Sequence, residues 1–309
     1  MKLLITGSRG FVGGSVGREG MLVGHQVLGI SRATQADTGW TGDYVAADVV
    51  SADLDPVVRK FAPDVVVHAA GTASVGASFA APLDDLRASM LSWANLLDGI
   101  RRSGTNPLIL FPSSGAVYGQ VANLPVSEKA EIQPISPYGF HKAACELLGR
   151  EYATCFGLRI VVCRLFSLFG EQQRRLLIWE LYRQFTGEHE VVWLQGTGRE
   201  TRDYLHAQDM AGAMISLGES QFRERPCGHF EVLNVGSGVE TSVLDLAEQL
   251  GRMVAPAKEI RCRGVERAGD PERWQADSSA LRALLPDWNP RPLAEGLASC
   301  VAGWRNANC

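Results

Sequence analysis

TGSRGFVG, residues Thr6–Gly13, follows the short apolar run Lys2–Ile5 and leads into a segment with helical spacing. Glycines at three-residue intervals at such a junction do separate jobs. Gly7 permits the tight turn, Gly10 lets the backbone approach a pyrophosphate, and Gly13 allows close helix–strand packing. The helix that follows would offer free N–H groups and the positive end of its dipole to phosphates. Glycines also gather in turns for steric reasons alone, so the placement between strand and helix carries the reading. The stretch predicts a strand–turn–helix unit that binds a dinucleotide, and with it an α/β fold.

The chain beyond repeats the rhythm. His25–Ile30, Val65–His68, Leu108–Phe111 and Ile160–Cys163 read as buried strands, and Asp84–Ser103 and Tyr138–Phe156 carry helical patterns. Such alternation argues for a doubly wound, Rossmann-type parallel sheet with helices on both faces. After about Gly170 the rhythm loosens, and glycine, proline and arginine become more frequent. Residues 1–170 are therefore expected to form the dinucleotide-binding domain, and 171–309 mainly a smaller, interleaved C-terminal substrate lobe. Phe230–Gly238 again looks like a sheet strand, so residues around 203–236 should return to the first domain.

Of the 309 residues, 46% are hydrophobic and 21% charged, enough for a normal core. A net charge of -4, from 30 basic and 34 acidic residues with no basic block, speaks against nucleic acid as a partner. The amino terminus is apolar only for Leu3–Ile5, and no run reaches the roughly 18 residues of a spanning helix. Neither a signal segment nor a membrane partner is expected. The seven cysteines form no C-x-x-C pair and read as reduced thiols of a cytoplasmic protein, with no metal expected.

The second strand ends in Ser31-Arg32, and no carboxylate appears until Asp37. An NAD-binding unit would place an acid there to hydrogen-bond the adenosine ribose, whereas a 2′-phosphate suits a hydroxyl and a guanidinium. Arg9, inside the glycine turn, can reach the same region. NADP(H) is therefore expected in preference to NAD(H), which stays possible; the alternative is that Arg9 and Arg32 are solvated surface arginines. Asp48 is placed either to accept from the adenine amino group or to close a turn.

TGSRGFVG, HAAG (His68–Gly71), SSGAVYG (Ser113–Gly119) and YGFHK (Tyr138–Lys142), in this order, resemble the extended short-chain dehydrogenase/reductase family. Within it they are similar to the nucleotide-sugar epimerases and 4-keto-sugar reductases, over about Leu3–Leu297. The residues support this directly. Ser136-Pro137 predicts a helix start, with serine as cap and proline in the first turn. Tyr138 and Lys142 then share one face. A free phenol is a poor base at neutral pH, and a nearby ammonium favours its ionised form. The resemblance implies that Tyr138 is the acid/base, that Lys142 tunes it and grips the nicotinamide ribose, and that Ser114 orients the substrate oxygen. Ser113 is the alternative serine by one register. It further implies a cofactor wall of Gly7, Arg9, Gly10, Phe11, Val12, Gly13, Ser31, Arg32, Asp48, Val49, Ala69, Ala70, Gly71 and Ser113, with Tyr138 and Lys142. Gly115-Ala116 after Ser114 offers no acid for elimination, which leaves redox chemistry at one carbinol carbon. His68, ending a buried strand, reads as a packing residue.

Gly196–Asp209 and Arg267–Leu281 resemble the sugar-nucleotide-binding segments of that family. By the match, Arg202, Arg267 and Asp270 would meet the diphosphate and ribose of a nucleotide-diphosphate sugar; a solvated salt-bridge network is the alternative. Ser167 stands where the family usually carries a substrate-binding asparagine, and Phe169 where tyrosine is common, which leaves the sugar open. Trp179, Trp193, Trp274 and Trp288 read as packing residues, with stacking of one of them on the nucleotide as the alternative. The leading expectation is an NADP(H)-dependent reductase of a nucleotide-linked 4-keto sugar. The alternatives are a 4-epimerase that retains NAD(H) or NADP(H), and a non-catalytic NADPH-binding partner protein. The resemblance also implies a homodimer through Asp84–Ser103 and Tyr138–Phe156, with Leu86, Met90, Trp93, Leu96 and Leu97 as the apolar stripe.

Overall fold

Leu3, Leu4 and Ile5 are all fully buried, Leu3 and Ile5 in one core and Leu4 in another. A strand covered on both faces belongs to the middle of a parallel sheet. The structure is a computed structural model that describes residues 1–265, 269 and 271–306. Its strands are β1 (Lys2–Thr6), β2 (Gln26–Ser31), β3 (Asp43–Ala46), β4 (Val65–His68), β5 (Leu108–Ser114) and β6 (Arg159–Leu165). After them come β7 (Ser167–Phe169), β8 (Val191–Leu194), β9 (Thr201–His206), β10 (Phe230–Val235), β11 (Glu240–Ser242) and β12 (Glu259–Cys262). Seven of these form one sheet in the order β10-β6-β5-β4-β1-β2-β3, every neighbouring pair parallel. The order reverses between β1 and β4, so a crevice opens beyond their carboxyl ends, where ligands bind in doubly wound sheets.

The helices are α1 (Phe11–Leu22), α2 (Asp55–Phe61), α3 (Val75–Ala80), α4 (Pro82–Leu86), α5 (Ser92–Ser103) and α6 (Pro137–Phe156). They are followed by α7 (Leu176–Thr186), α8 (Ala207–Gln221), α9 (Val243–Val254), α10 (Ser279–Leu284) and α11 (Leu293–Asn306). Val16 of α1 and Met210 and Met214 of α8 meet Leu3 and Ile5 on one face. Val58, Trp93, Leu96 and Cys145, from α2, α5 and α6, meet Leu4 and Val66 on the other. A second lobe packs α7, α9 and α11 around β8 and β9, with Phe185, Leu250 and Trp304 inside. No helix among the described residues is long and apolar enough to cross a membrane.

Two expectations change here. The predicted helix Asp84–Ser103 is not uniform, because a π-helical turn, Arg87–Leu91, lies between α4 and α5. The Ser92 hydroxyl donates to the Ala88 carbonyl at 2.6 Å and to Ser89 O at 3.1 Å, competing for acceptors a regular helix would use. The apolar stripe assigned to a dimer contact is also divided. Trp93, Leu96 and Leu97 are fully buried against the sheet, while the exposed apolar residues of this surface are Leu83 and Leu91, with Phe140 and Leu147 on α6.

Candidate functional site

Steric contact shapes the glycine turn. Gly7 has φ +68°, and a Cβ there would lie 2.5 Å from the Ala69 carbonyl oxygen. A Cβ on Gly13 would lie 2.4 Å from the Gly7 carbonyl oxygen. Neither position has room for a side chain. Gly10 caps α1 with no side-chain hydrogen bond, which leaves the first N–H groups of the helix for a ligand. Gly10, Phe11 and Val12 line a cavity of about 1440 Å³, together with Ala69–Gly71 and Ser113–Ser114. A single small-molecule site usually occupies roughly 300–1,000 Å³. The cavity therefore has space for a dinucleotide and a second ligand, and its cradle fits the pyrophosphate of the first.

α6 begins as its sequence dictates. Ser136 Oγ accepts from the Gly139 N–H at 3.2 Å, and Pro137 occupies the first turn. The Tyr138 N–H donates to Ser78 Oγ of α3 at 3.1 Å, which ties the start of α6 to a second helix. One turn later Lys142 Nζ donates to the Pro112 carbonyl at 2.9 Å, lying 4.9 Å from the Phe111 ring centre and 5.9 Å from that of Tyr138. Tyr138 and Lys142 are only 9% and 7% exposed, and what they expose faces the cavity. Ser114 Oγ accepts from the Ala116 N–H at 3.1 Å and keeps its own proton to donate. Ser113 Oγ instead donates to Glu146 Oε1 at 2.5 Å, so of the two adjacent serines Ser114 is the one free to meet a ligand. A phenol, a hydroxyl and an ammonium thus converge on the wall of one cavity. Together they can hold a substrate oxygen, move its proton and stabilise the negative charge that develops.

A model of the NAD dependent epimerase/dehydratase family matches residues 3–236. The chain belongs to this family. It is an enzyme of the extended short-chain dehydrogenase/reductase type. UDP-glucose 4-epimerase of Mycolicibacterium smegmatis is 29% identical over 318 aligned residues, which cover 99% of each chain. GDP-6-deoxy-D-mannose reductase of Pseudomonas aeruginosa is 31% identical over 256 residues, covering 74% of this chain and 81% of the relative. Among solved structures, UDP-glucose-4-epimerase from Stenotrophomonas maltophila, with bound NAD and formylated UDP-arabinopyranose, is 26% identical. It superposes with a TM-score of 0.89, covering 100% of this chain and 99% of that one.

The epimerase/dehydratase cradle does not gather every residue the sequence suggested. Ser31 Oγ is spent on the Tyr44 hydroxyl, 2.7 Å away, which in turn donates to Ala33 O. Arg9 Nε pairs with Asp37 at 2.8 Å, and Arg32 is exposed to solvent. Two of the three groups cited for a 2′-phosphate are thus committed inside the protein. Asp48 accepts from the Val50 N–H in a turn of its own, and Val49 is buried beside the helices. Ser167 lines the cavity, as does Arg202, whose guanidinium lies over the Trp274 ring at 5.6 Å. Arg267 and Asp270 lie outside the described residues. Trp288 packs on the core, whereas Trp179, Trp193 and Trp274 line the cavity. Among the described residues one group with metal-ligand chemistry, Glu171, His206 and Cys300, has its donor atoms within 4.8 Å of one another. His206 Nδ1 accepts from the Gln208 N–H, so Nε2 carries the proton and faces Glu171 rather than a cation.

Behind the cavity lies a polar network that sequence reading missed. Arg164 Nη2 and Nε donate to the two Glu146 oxygens at 2.6 and 3.0 Å, and Arg164 Nη1 donates to the Tyr118 hydroxyl at 2.8 Å. Tyr118 donates to Asn234 Oδ1 at 2.7 Å. Burial alone would disfavour the Arg164 cation, yet the hydrogen bonds and charge of Glu146 hold it firmly protonated. On the other side His68 is buried beneath the cavity. Its Nδ1 meets the Thr6 hydroxyl at 2.8 Å and its Nε2 the Ser92 hydroxyl at 3.3 Å. Burial, helped by the charge of Lys142, pushes its pKa from 6.5 to about 3. The unfolded chain takes up this proton near pH 6.5, while the native state resists until about pH 3. Stability carried by His68 is therefore complete above that window and lost as pH falls through it. Urea unfolding of parent and His68→Gln across pH 7 to 4 should show a steeper acid loss in the parent. Parallel profiles would exclude this role.

Proposed function

We infer that the chain is a 4-epimerase of nucleotide-linked sugars, UDP-hexoses foremost, which keeps NAD(H) bound through its cycle. One observation carries this reading: a single cavity of about 1440 Å³ runs from the uncapped start of α1, past Ser114, Tyr138 and Lys142, to Arg202 and Trp193 in the second lobe. That layout suits a dinucleotide at one end and a sugar nucleotide at the other, with the reacting carbon beside the phenol. Bound nicotinamide would supply the uptake and return of hydride at that carbon. Tyr138 takes the proton of the sugar hydroxyl and later restores it. Ser114 holds the same oxygen, and Lys142 stabilises the charge on the phenol. Arg202 offers a guanidinium to the diphosphate. The full-length similarity to a UDP-glucose 4-epimerase, and to an epimerase structure holding NAD, supports this reading over the NADP-dependent reductase favoured by sequence. The reductase stays as the second reading because of the similarity to a GDP-sugar reductase, at 31% identity.

Exposed Leu83, Leu91, Phe140 and Leu147 form the surface through which a second copy would pack to give the homodimer. The test of function begins with enzyme purified without added dinucleotide. Released by denaturation, it should yield stoichiometric NAD(H), and the native sample should interconvert UDP-glucose and UDP-galactose unaided. Turnover of a keto sugar only while NADPH is consumed would overturn the epimerase in favour of the reductase.

A further inference from the structure

Thr72, Asp85 and His141 form a polar chain that the proposed proton transfer does not use. Asp85, on α4, is only 4% exposed, yet both of its carboxylate oxygens are engaged. Oδ1 accepts from the Thr72 hydroxyl, and Oδ2 lies 2.5 Å from His141 Nδ1. An ionised carboxylate only accepts, so His141 Nδ1 carries a proton and donates it. Thr72 gives its own proton to Asp85, which makes Ser89 Oγ, 3.2 Å away on the π-helical turn, the donor to Thr72. The chain joins the cavity to the helix that carries the phenol. Residues 71–77 line the main cavity, and His141 sits on α6 three residues after Tyr138 and next to Lys142. The far end of that wall is fastened to the same helix. There Ser78 Oγ accepts from the Tyr138 N–H at 3.1 Å and donates to the Val75 carbonyl at 2.7 Å. An apolar pair could hold α4 against α6 without the cost of a buried charge. What the carboxylate adds is direction, because each oxygen fixes the place of one donor.

We propose that Asp85 is a positioning residue: by binding Thr72 and His141 at once, it fixes the 71–77 wall of the cavity relative to Tyr138 and Lys142. It touches no ligand itself and acts through its two partners. A sugar nucleotide resting on that wall then meets the phenol at hydrogen-bond distance, and a wall that drifts carries the reacting oxygen away from it. The contacts offered by the second lobe do not pass through Asp85, so the loss belongs to turnover rather than to substrate binding. The proposal rests on the reading of Tyr138 as acid/base and adds the group that sets its distance from the wall.

Two measurements on the full-length enzyme test it: amide hydrogen exchange of residues 71–77, and epimerisation kinetics with saturating NAD and varied UDP-glucose. Asp85→Ala should speed exchange in that segment by about tenfold or more, and lower kcat by about 10- to 100-fold with KM within about threefold. Asp85→Asn should restore most of both, since its amide oxygen accepts from Thr72 while its N–H donates to His141 Nδ1 in the other tautomer. Thr72→Val, which deletes one hydroxyl at nearly constant volume, should lower kcat by about tenfold and carries the test if Asp85→Ala does not fold. Exchange at the parent rate in the folded variants would overturn the proposal. So would faster exchange with kcat within about threefold of the parent, because the wall would then be held without being needed. A parent that does not epimerise UDP-glucose refutes the proposed reaction instead, and the exchange rates alone then decide whether Asp85 holds the wall.

Discussion

Tyr138→Phe should slow turnover by about 10²–10⁴-fold, the range of a lost general acid/base, while the protein folds and retains its dinucleotide. The variant deletes one hydroxyl and nothing that holds the site together. The Tyr138 side chain makes no hydrogen bond to any described residue, whereas its backbone N–H, which ties α6 to Ser78, is untouched by the change. Lys142 remains fixed on the Pro112 carbonyl, and Ser114 keeps its donor. The loss should therefore appear in kcat at saturating sugar nucleotide, with little change in KM. Turnover within a few-fold of the parent would show that the proton travels elsewhere.

The second large effect concerns stability. Glu146 and Arg164 are an ion pair with side chains 6% and 3% exposed. Removing one member leaves the other charged and buried, a loss of about 3–5 kcal/mol for such pairs. Glu146→Gln should lower the unfolding free energy in urea by that amount. It also deprives Ser113 of its acceptor, on the strand that carries Ser114. Replacing both partners by apolar residues of similar volume, Glu146→Leu with Arg164→Met, should recover much of the loss, since the stranded charge is gone. A single variant as stable as the parent would mean that water reaches the pair.

The sheet was readable because its causes are local. A glycine at φ +68° between an apolar run and a helix, or a Ser-Pro pair opening a helix, leaves a signature within a few residues. The division of labour between Ser113 and Ser114 was not readable. It depends on Glu146, which approaches from α6 and engages one of the two hydroxyls. The groups cited for a 2′-phosphate were not readable for the same reason. Ser31 and Arg9 look free in sequence, but the fold brings Tyr44 to the one and Asp37 to the other. One overlooked signal was present: Arg164 interrupts an otherwise apolar strand, RIVVCRL, and a charge there requires a buried partner. The tryptophans of the second lobe carry no such mark, since a ring that packs and a ring that lines a cavity have the same sequence.

The most direct test of the account follows the hydrogen on the substrate carbon beside Tyr138. A UDP-hexose deuterated at C4 is incubated with the purified enzyme, without added coenzyme, and the products are read by mass and NMR. The account predicts the C4 epimer with its deuterium still at C4. An epimer that has exchanged its C4 deuterium with solvent, or inversion at a different carbon, would contradict it.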